Sequence, residues 1–178
     1  MVLEPQIFQD ERGRFLETHR IKDLAEETGQ SLEFVQSNLS YSLPGVLRGL
    51  HFQRNRPQGK LMRCVSGKIQ HVGVDLREGS PYFGKHVSML LDDMTCRSVW
   101  LPPGFAAGFL VPSGGPGATV YYECSSLYVE EWNGAVNWND SDIGVKWLTQ
   151  GRNPILSRKD RAAPTLRDIE PIKIESGE

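Results

Sequence analysis

Short runs rich in Val, Ile, Phe, Tyr and Trp, separated by breaks containing glycine and proline, recur along the whole chain, and this rhythm limits the fold more than any other feature. β-Branched and aromatic side chains suit a pleated, half-buried surface, while Gly and Pro set turns or withhold a ladder donor. The runs are LEFVQSNLSYS, GVLRGLHFQ, KLMRCVSGKIQHVGVDL, KHVSMLLDD, RSVWLPPGFAAGFLV and ATVYYECSSLYV. Their spacing, roughly 8 to 12 residues, is that of a sandwich or barrel. Ahead of them, VLEPQIF is an expected edge strand interrupted by Pro5, Asp10 to Gly13 a turn, and Arg14 to Thr18 a further strand. The one good helical stretch, about Ile21 to Thr28, is closed by Gly29 and too short to build a helical core. The expected fold is all-β, a jelly roll or double-stranded β-helix with short peripheral helices.

A chain of 178 residues fits one domain with a sizeable core, so 1–178 is expected to form a single unit. Beyond Trp147 it is rich in proline and charge, and a polar, mobile end is expected from about residue 168. The net charge of −2, with lysines and arginines scattered among acids, provides no basic stripe, so neither nucleic acid nor an anionic membrane surface is expected as a partner. No apolar run approaches the roughly 20 residues that span a bilayer. The opening MVLEPQIFQDERG lacks the regions of a signal peptide, so the expected location is the cytoplasm. Cys64, Cys96 and Cys124 are odd in number and far apart, and are expected to be reduced and mostly buried.

Chemistry concentrates in GVLRGLHFQRNRPQGKL, from Gly45 to Leu61, where Arg48, His51, Gln53 and Lys60 stand among apolar residues. Strict alternation would put Arg48 and Leu50 on one face and Leu47, Gly49, His51 and Gln53 on the other. Taken alone, the pattern also fits a half-buried strand with a tolerated histidine. A jelly roll of the cupin type often holds a metal through His-x-His and a histidine three residues after Pro-x-Gly. Here those positions read His51-Phe52-Gln53 and Pro102-Pro103-Gly104-Phe105-Ala106-Ala107, so no metal and no other cofactor is expected. Without one, an imidazole oriented by a carboxylate can take a proton near neutral pH, and an ammonium can stabilise the developing oxyanion. Such a set suits removal of a proton beside a carbonyl.

FQDERGRFLE, FVQSN, GVLRGLHFQ, QGKLMRCVSGKIQHVGVDLREGSPYFG, WLPPGFAAGF and LSRKD together resemble the dTDP-4-dehydrorhamnose 3,5-epimerase family, in its order and spacing, from about Phe8 to Leu166. The resemblance implies a cytoplasmic homodimer that binds a nucleotide-diphosphate sugar and inverts C3, C5 or both of a 4-keto-6-deoxyhexose. It gives His51 as the base, Asp160 as its orienting partner, Lys60 beside the ketone oxygen and Tyr122, with Tyr121 second, as the acid on the opposite face. Arg48 resembles the diphosphate-binding arginine. Arg12, Phe15 and Glu17 match the segment that reaches a neighbouring subunit's nucleotide, and Gln36, Asn38, His71 and Tyr128 complete the expected substrate-binding set.

Departures from the family pattern are also visible. Histidine is usual where this chain has Ala107, and aspartate where it has His71; the two positions are expected to face each other, with His71 filling the missing imidazole's space. Glu123 follows the expected acid where a lysine is common, and an added negative charge near a diphosphate would be unfavourable. These changes keep three other readings open: a single-centre epimerase or ketoisomerase on an unusual nucleotide sugar, a sugar-nucleotide binding module without catalysis, and a metal-dependent cupin dioxygenase.

Overall fold

The computed structural model describes residues 1–174. In chain order its strands are β1 (Val2–Leu3), β2 (Ile7–Asp10), β3 (Gly13–Leu16), β4 (Gln36–Ser42), β5 (Leu47–Gln53), β6 (Lys60–Ser66), β7 (Lys68–Asp75), β8 (His86–Asp92), β9 (Ser98–Leu101), β10 (Phe105–Leu110), β11 (Ala118–Cys124) and β12 (Asn133–Ala135). Two short helices accompany them, α1 (Ile21–Thr28) and α2 (Arg158–Arg161). Two five-stranded sheets, β1-β9-β6-β11-β4 and β12-β5-β10-β7-β8, form the expected jelly roll, and the β2–β3 hairpin pairs with neither. Pro5 divides the first expected strand: β1 joins β9, whereas β2 turns back onto β3.

Three apolar clusters follow from the alternation within strands. Between the sheets lie Met62, Cys64, Ile69, Leu91, Val99, Leu101, Ala107, Phe109, Ala118 and Val120, with Tyr122 packed against them. The outer face of the second sheet presents Leu50, Phe52, Val72, Val74 and Ala106, covered by Val136, Ile143, Leu166, Ile169 and Ile172 from the C-terminal segment. With both faces covered, β7 is buried from Ile69 to Asp75, its polar Gln70, His71 and Asp75 included. On the outer face of the first sheet, Leu24 of α1 covers Leu61 and Trp100. Gly29 closes α1 in the left-handed conformation, φ 66°, where a side chain would be strained.

The C-terminal end differs from its expectation. Ile169 and Ile172 are buried, and Ile172 bridges to Arg77, so apolar anchoring continues past residue 168. Residues 175–178 of that end lie outside the described residues. Cys64 and Cys124 are buried and Cys96 is half-buried, all three with free thiols. Among the described residues no helix is long and apolar enough to cross a membrane.

Candidate active site

The site is built on a break in strand alternation. Along the β5–β10 pair, His51 stands opposite Ala107 but Arg48 opposite Phe109, so three steps on β5 match two on β10. The extra residue is a β-bulge, placed at Gly49, whose φ is 130°. Only glycine fits there, because a Cβ would come within 2.5 Å of the Gly108 Cα. Residues opposite each other across a ladder share a face, so the bulge carries Arg48 and His51 to the same inward side and sends Leu50, with Phe52, into the outer core. The expected grouping of Arg48 with Leu50 is therefore corrected. Strict alternation cannot anticipate an inserted residue.

His51 Nε2 lies 2.5 Å from Asp160 Oδ1. The imidazole is 35% exposed, whereas Asp160 is 3% exposed behind it. Asp160 is fixed locally: Ser157 caps α2 by accepting the Asp160 N–H at 3.0 Å. Burial works to raise the carboxyl's pKa, but hydrogen bonding and charge from His51, with further bonds from Ser157 and the Gly49 N–H, outweigh it and hold the group below its usual range. A buried carboxylate on one ring nitrogen keeps the proton there and leaves the other nitrogen as a base, and it steadies the imidazolium once formed.

Across the interior, β6, β11 and β4 present two inward rows. Lys60, Cys124 and Gln36 form one, and Met62, Tyr122 and Asn38 the next. A cavity of about 290 Å³ opens between these rows and His51. Of the expected residues it is lined by His51, Lys60, Tyr122, Gln36, Asn38 and Tyr128. Lys60 Nζ is 3.5 Å from the His51 carbonyl oxygen. Burial lowers the ammonium's pKa, with the Cys124 thiol acting in the opposite direction. Burial raises the Tyr122 phenol, as does Cys124, while the Arg48 charge opposes both. A base with its carboxylate, an ammonium and a phenol thus meet in one cavity.

Other expected residues lie elsewhere. Arg48 is exposed at the rim, its Nε donating to Ser42 Oγ at 2.8 Å. Arg12 pairs with Asp10 and Glu17 with Arg20 on and beside the β2–β3 hairpin, where Phe15 is 70% exposed; none of the three lines the cavity. His71 is buried behind the wall rather than lining it. Nor does it face Ala107: it stands opposite Phe109 on the neighbouring strand, while Ala107 stands opposite Gly73. Tyr121 and Glu123 project from the outer face of β11, Tyr121 against Arg63 and Glu123 against His19 Nε2 at 3.4 Å. The acid at position 123 therefore does not enter the cavity, and of the two tyrosines only Tyr122 does.

Phe52, Gln53, Gln58, Cys124 and Asn133 also line the cavity, outside the expected substrate-binding set, although Gln53 was expected on the face of His51. Gln53 donates to the carbonyls of Arg56 and Leu127 and accepts from the Val129 N–H, holding the wall that carries Tyr128. Asn133 donates to the Tyr128 hydroxyl at 3.0 Å. Gln53 sits directly in the RGLHFQ motif and was recoverable from it; Asn133 belongs to a three-residue strand with no pattern of its own. Among the described residues no cluster of three or more His, Cys, Asp or Glu side chains is arranged to hold a metal ion.

The profile of the family described as dTDP-4-dehydrorhamnose 3,5-epimerase matches residues 1–168. The dTDP-4-dehydrorhamnose 3,5-epimerase of Methanothermobacter thermautotrophicus is 43% identical over 169 residues, covering 94% of this chain and 90% of that protein. The dTDP-6-deoxy-D-glucose-3,5-epimerase of Legionella pneumophila, solved in complex with dTDP-4-keto-L-rhamnose, has a TM-score of 0.92 at 38% identity, covering 98% of this chain and 93% of that one. A 3'-monoepimerase of Streptomyces bikiniensis, solved in complex with dTDP-quinovose, has a TM-score of 0.86 at 36% identity, covering 93% and 83%. With matches of sequence and fold over nearly its whole length, the chain belongs to the dTDP-4-dehydrorhamnose 3,5-epimerase family.

Proposed function

We propose that this protein epimerises a nucleotide-linked 4-keto-6-deoxyhexose of the dTDP-4-dehydro-6-deoxyglucose type at C3, C5 or both. The observation that carries the reading is the His51–Asp160 pair at 2.5 Å, opening onto the cavity that Lys60 and Tyr122 also line. His51 removes the proton beside the C4 ketone, and Asp160 stabilises the resulting imidazolium. Lys60 offsets the negative charge that collects on the ketone oxygen; one lost oxyanion donor costs roughly 3–4 kcal/mol in comparable sites. Tyr122 returns a proton to the opposite face of the enolate, which completes inversion.

At about 290 Å³ the cavity is at the small end of ligand sites, which run from ~300 Å³ upward. It suits the sugar ring, leaving the diphosphate at the rim, within reach of Arg48. The exposed β2–β3 hairpin, with Arg12 and Phe15, serves the nucleotide of a second subunit in a homodimer. A single-centre reading is favoured by two observations, the Ala107 and His71 departures and the likeness to a 3'-monoepimerase. Incubation with dTDP-4-keto-6-deoxyglucose, followed by proton NMR of the product's ring couplings, tests the reading. Inverted couplings at C3, C5 or both support it; unchanged sugar, with the nucleotide bound, leaves a binding module in its place.

A further inference from the structure

Behind the cavity, the imidazole of His71 is 1% exposed, and its Nε2 meets no hydrogen-bond partner among the described residues. Leaving a buried polar atom without a partner costs about 1–3 kcal/mol. Such a group calls for an account of what it does.

Its surroundings narrow the choice. On β10, Ala107 lies between His51 and Gly73, and Phe109 lies between Arg48 and His71. The row through His51 therefore offers only a methyl group and a hydrogen beside the base, and His71 is the next inward-facing residue along β7. Lys60 reaches this row from the opposite sheet, its Nζ 3.5 Å from the His51 carbonyl oxygen. Among the described residues no carboxylate forms an ion pair with Lys60. Burial, and then the charge of Lys60, push the His71 imidazole down to about 3, so the ring is neutral wherever the enzyme works.

We propose that His71 is a positioning residue for Lys60: through one water, which accepts from the ammonium and donates to the neutral Nε2, it aims an uncompensated positive charge at the ketone oxygen. A carboxylate in the same place would also hold the lysine, but it would cancel part of the charge that the oxyanion needs. The role rests on the reading of Lys60 as the oxyanion's partner. It gives the orphaned ring nitrogen a use and makes the exchange of an acid for an imidazole at position 71 a change in the electrostatics of catalysis.

Two substitutions separate this role from simple packing. His71→Leu removes the acceptor, whereas His71→Gln keeps a neutral one. On dTDP-4-keto-6-deoxyglucose, His71→Leu is expected to lower kcat about tenfold or more with KM within about twofold, and His71→Gln to recover most of that loss. In a Lys60→Met background, His71→Leu should add nothing. Equal losses from Leu and Gln, or the same loss with and without Lys60, would overturn the proposal.

A measurement without turnover keeps this result apart from the functional reading. With lysines reductively methylated using ¹³C, His71→Leu should shift the Lys60 methyl signal and lower its titration midpoint in the substrate-free protein. An unchanged midpoint contradicts the proposal even in an active enzyme. A shifted midpoint in a protein that epimerises nothing would uphold the pair and reject the activity. Should His71→Leu not fold, the ring ¹⁵N shifts of His71 in the wild type decide: an unprotonated Nε2 supports the role, and a protonated Nε2 excludes it.

Discussion

His51 Nε2 and Asp160 Oδ1 stand 2.5 Å apart although 109 positions separate them in the chain. The contact joins a central strand of the second sheet to a one-turn helix near the C-terminus, so the base is complete only when the segment after β12 has packed over the outer core.

Removing either partner should stop proton abstraction. His51→Ala eliminates the base, and Asp160→Asn leaves the ring without the anion that fixes its tautomer. Both are expected to lower the rate of solvent hydrogen exchange into substrate by about 10²–10⁴-fold while nucleotide binding persists. Exchange rates measured beside nucleotide affinity check this; an active Asp160→Asn enzyme would remove Asp160 from the account.

Tyr122→Phe should separate the two halves of inversion. The base still removes a proton, so exchange continues, but the acid on the opposite face is gone and the inverted product fails to accumulate. NMR of product stereochemistry, run on the same sample as the exchange measurement, reads both. Wild-type yields of inverted sugar from Tyr122→Phe would assign the acid elsewhere.

Gly49→Ala tests the bulge. A side chain there would combine a φ of 130° with a Cβ 2.5 Å from the Gly108 Cα. Strained backbone and overpacking each cost about 1–3 kcal/mol. Chemical denaturation should show a loss of at least that order, accompanied by lower activity because Arg48 and His51 depend on the bulge for their common face.

His71 gives the protein an acid sensitivity of predictable sign. Its ordinary value is 6.5 and its folded value about 3, so between these the unfolded chain binds a proton that the folded chain refuses. Stability therefore falls as pH drops from 6.5 toward 3, by about 1.4 kcal/mol per unit. Asp160, held below its usual range, contributes stability above about pH 3.9 and loses it only below that value. The window from pH 6.5 to 5 lies above that value, so Asp160 does not contribute to the change within it. His71→Gln should lose about 2 kcal/mol less stability than wild type across it, measured by denaturation at both pH values; parallel losses in the two proteins would contradict the buried neutral ring.

Much of this architecture was legible in the chain. Ile21 to Thr28 and its closing Gly29 are local features, and the structure places α1 at those residues. The β5, β6, β7, β10 and β11 runs were visible because apolar residues and turn residues alternate on a short length scale. What escaped was set by partners distant in sequence. The bulge at Gly49 depends on Gly108 lying against it, so it inverted an expected face that no local pattern would correct. Glu123, whose charge was expected near the diphosphate, is turned outward to His19 by the register of β11. Gln58 joined the cavity from the loop between β5 and β6, Asn133 through the pairing of β12 with β5, and Ile169 and Ile172 anchored an end whose composition is polar.

The most direct test of the central claim is deuterium uptake into dTDP-4-keto-6-deoxyglucose incubated with the enzyme in D2O and read by mass. The account predicts one deuteron if a single centre is inverted and two if both are, with the uptake abolished in His51→Ala. No uptake by the wild-type protein, on this or any related nucleotide-linked 4-keto sugar that it binds, would contradict it.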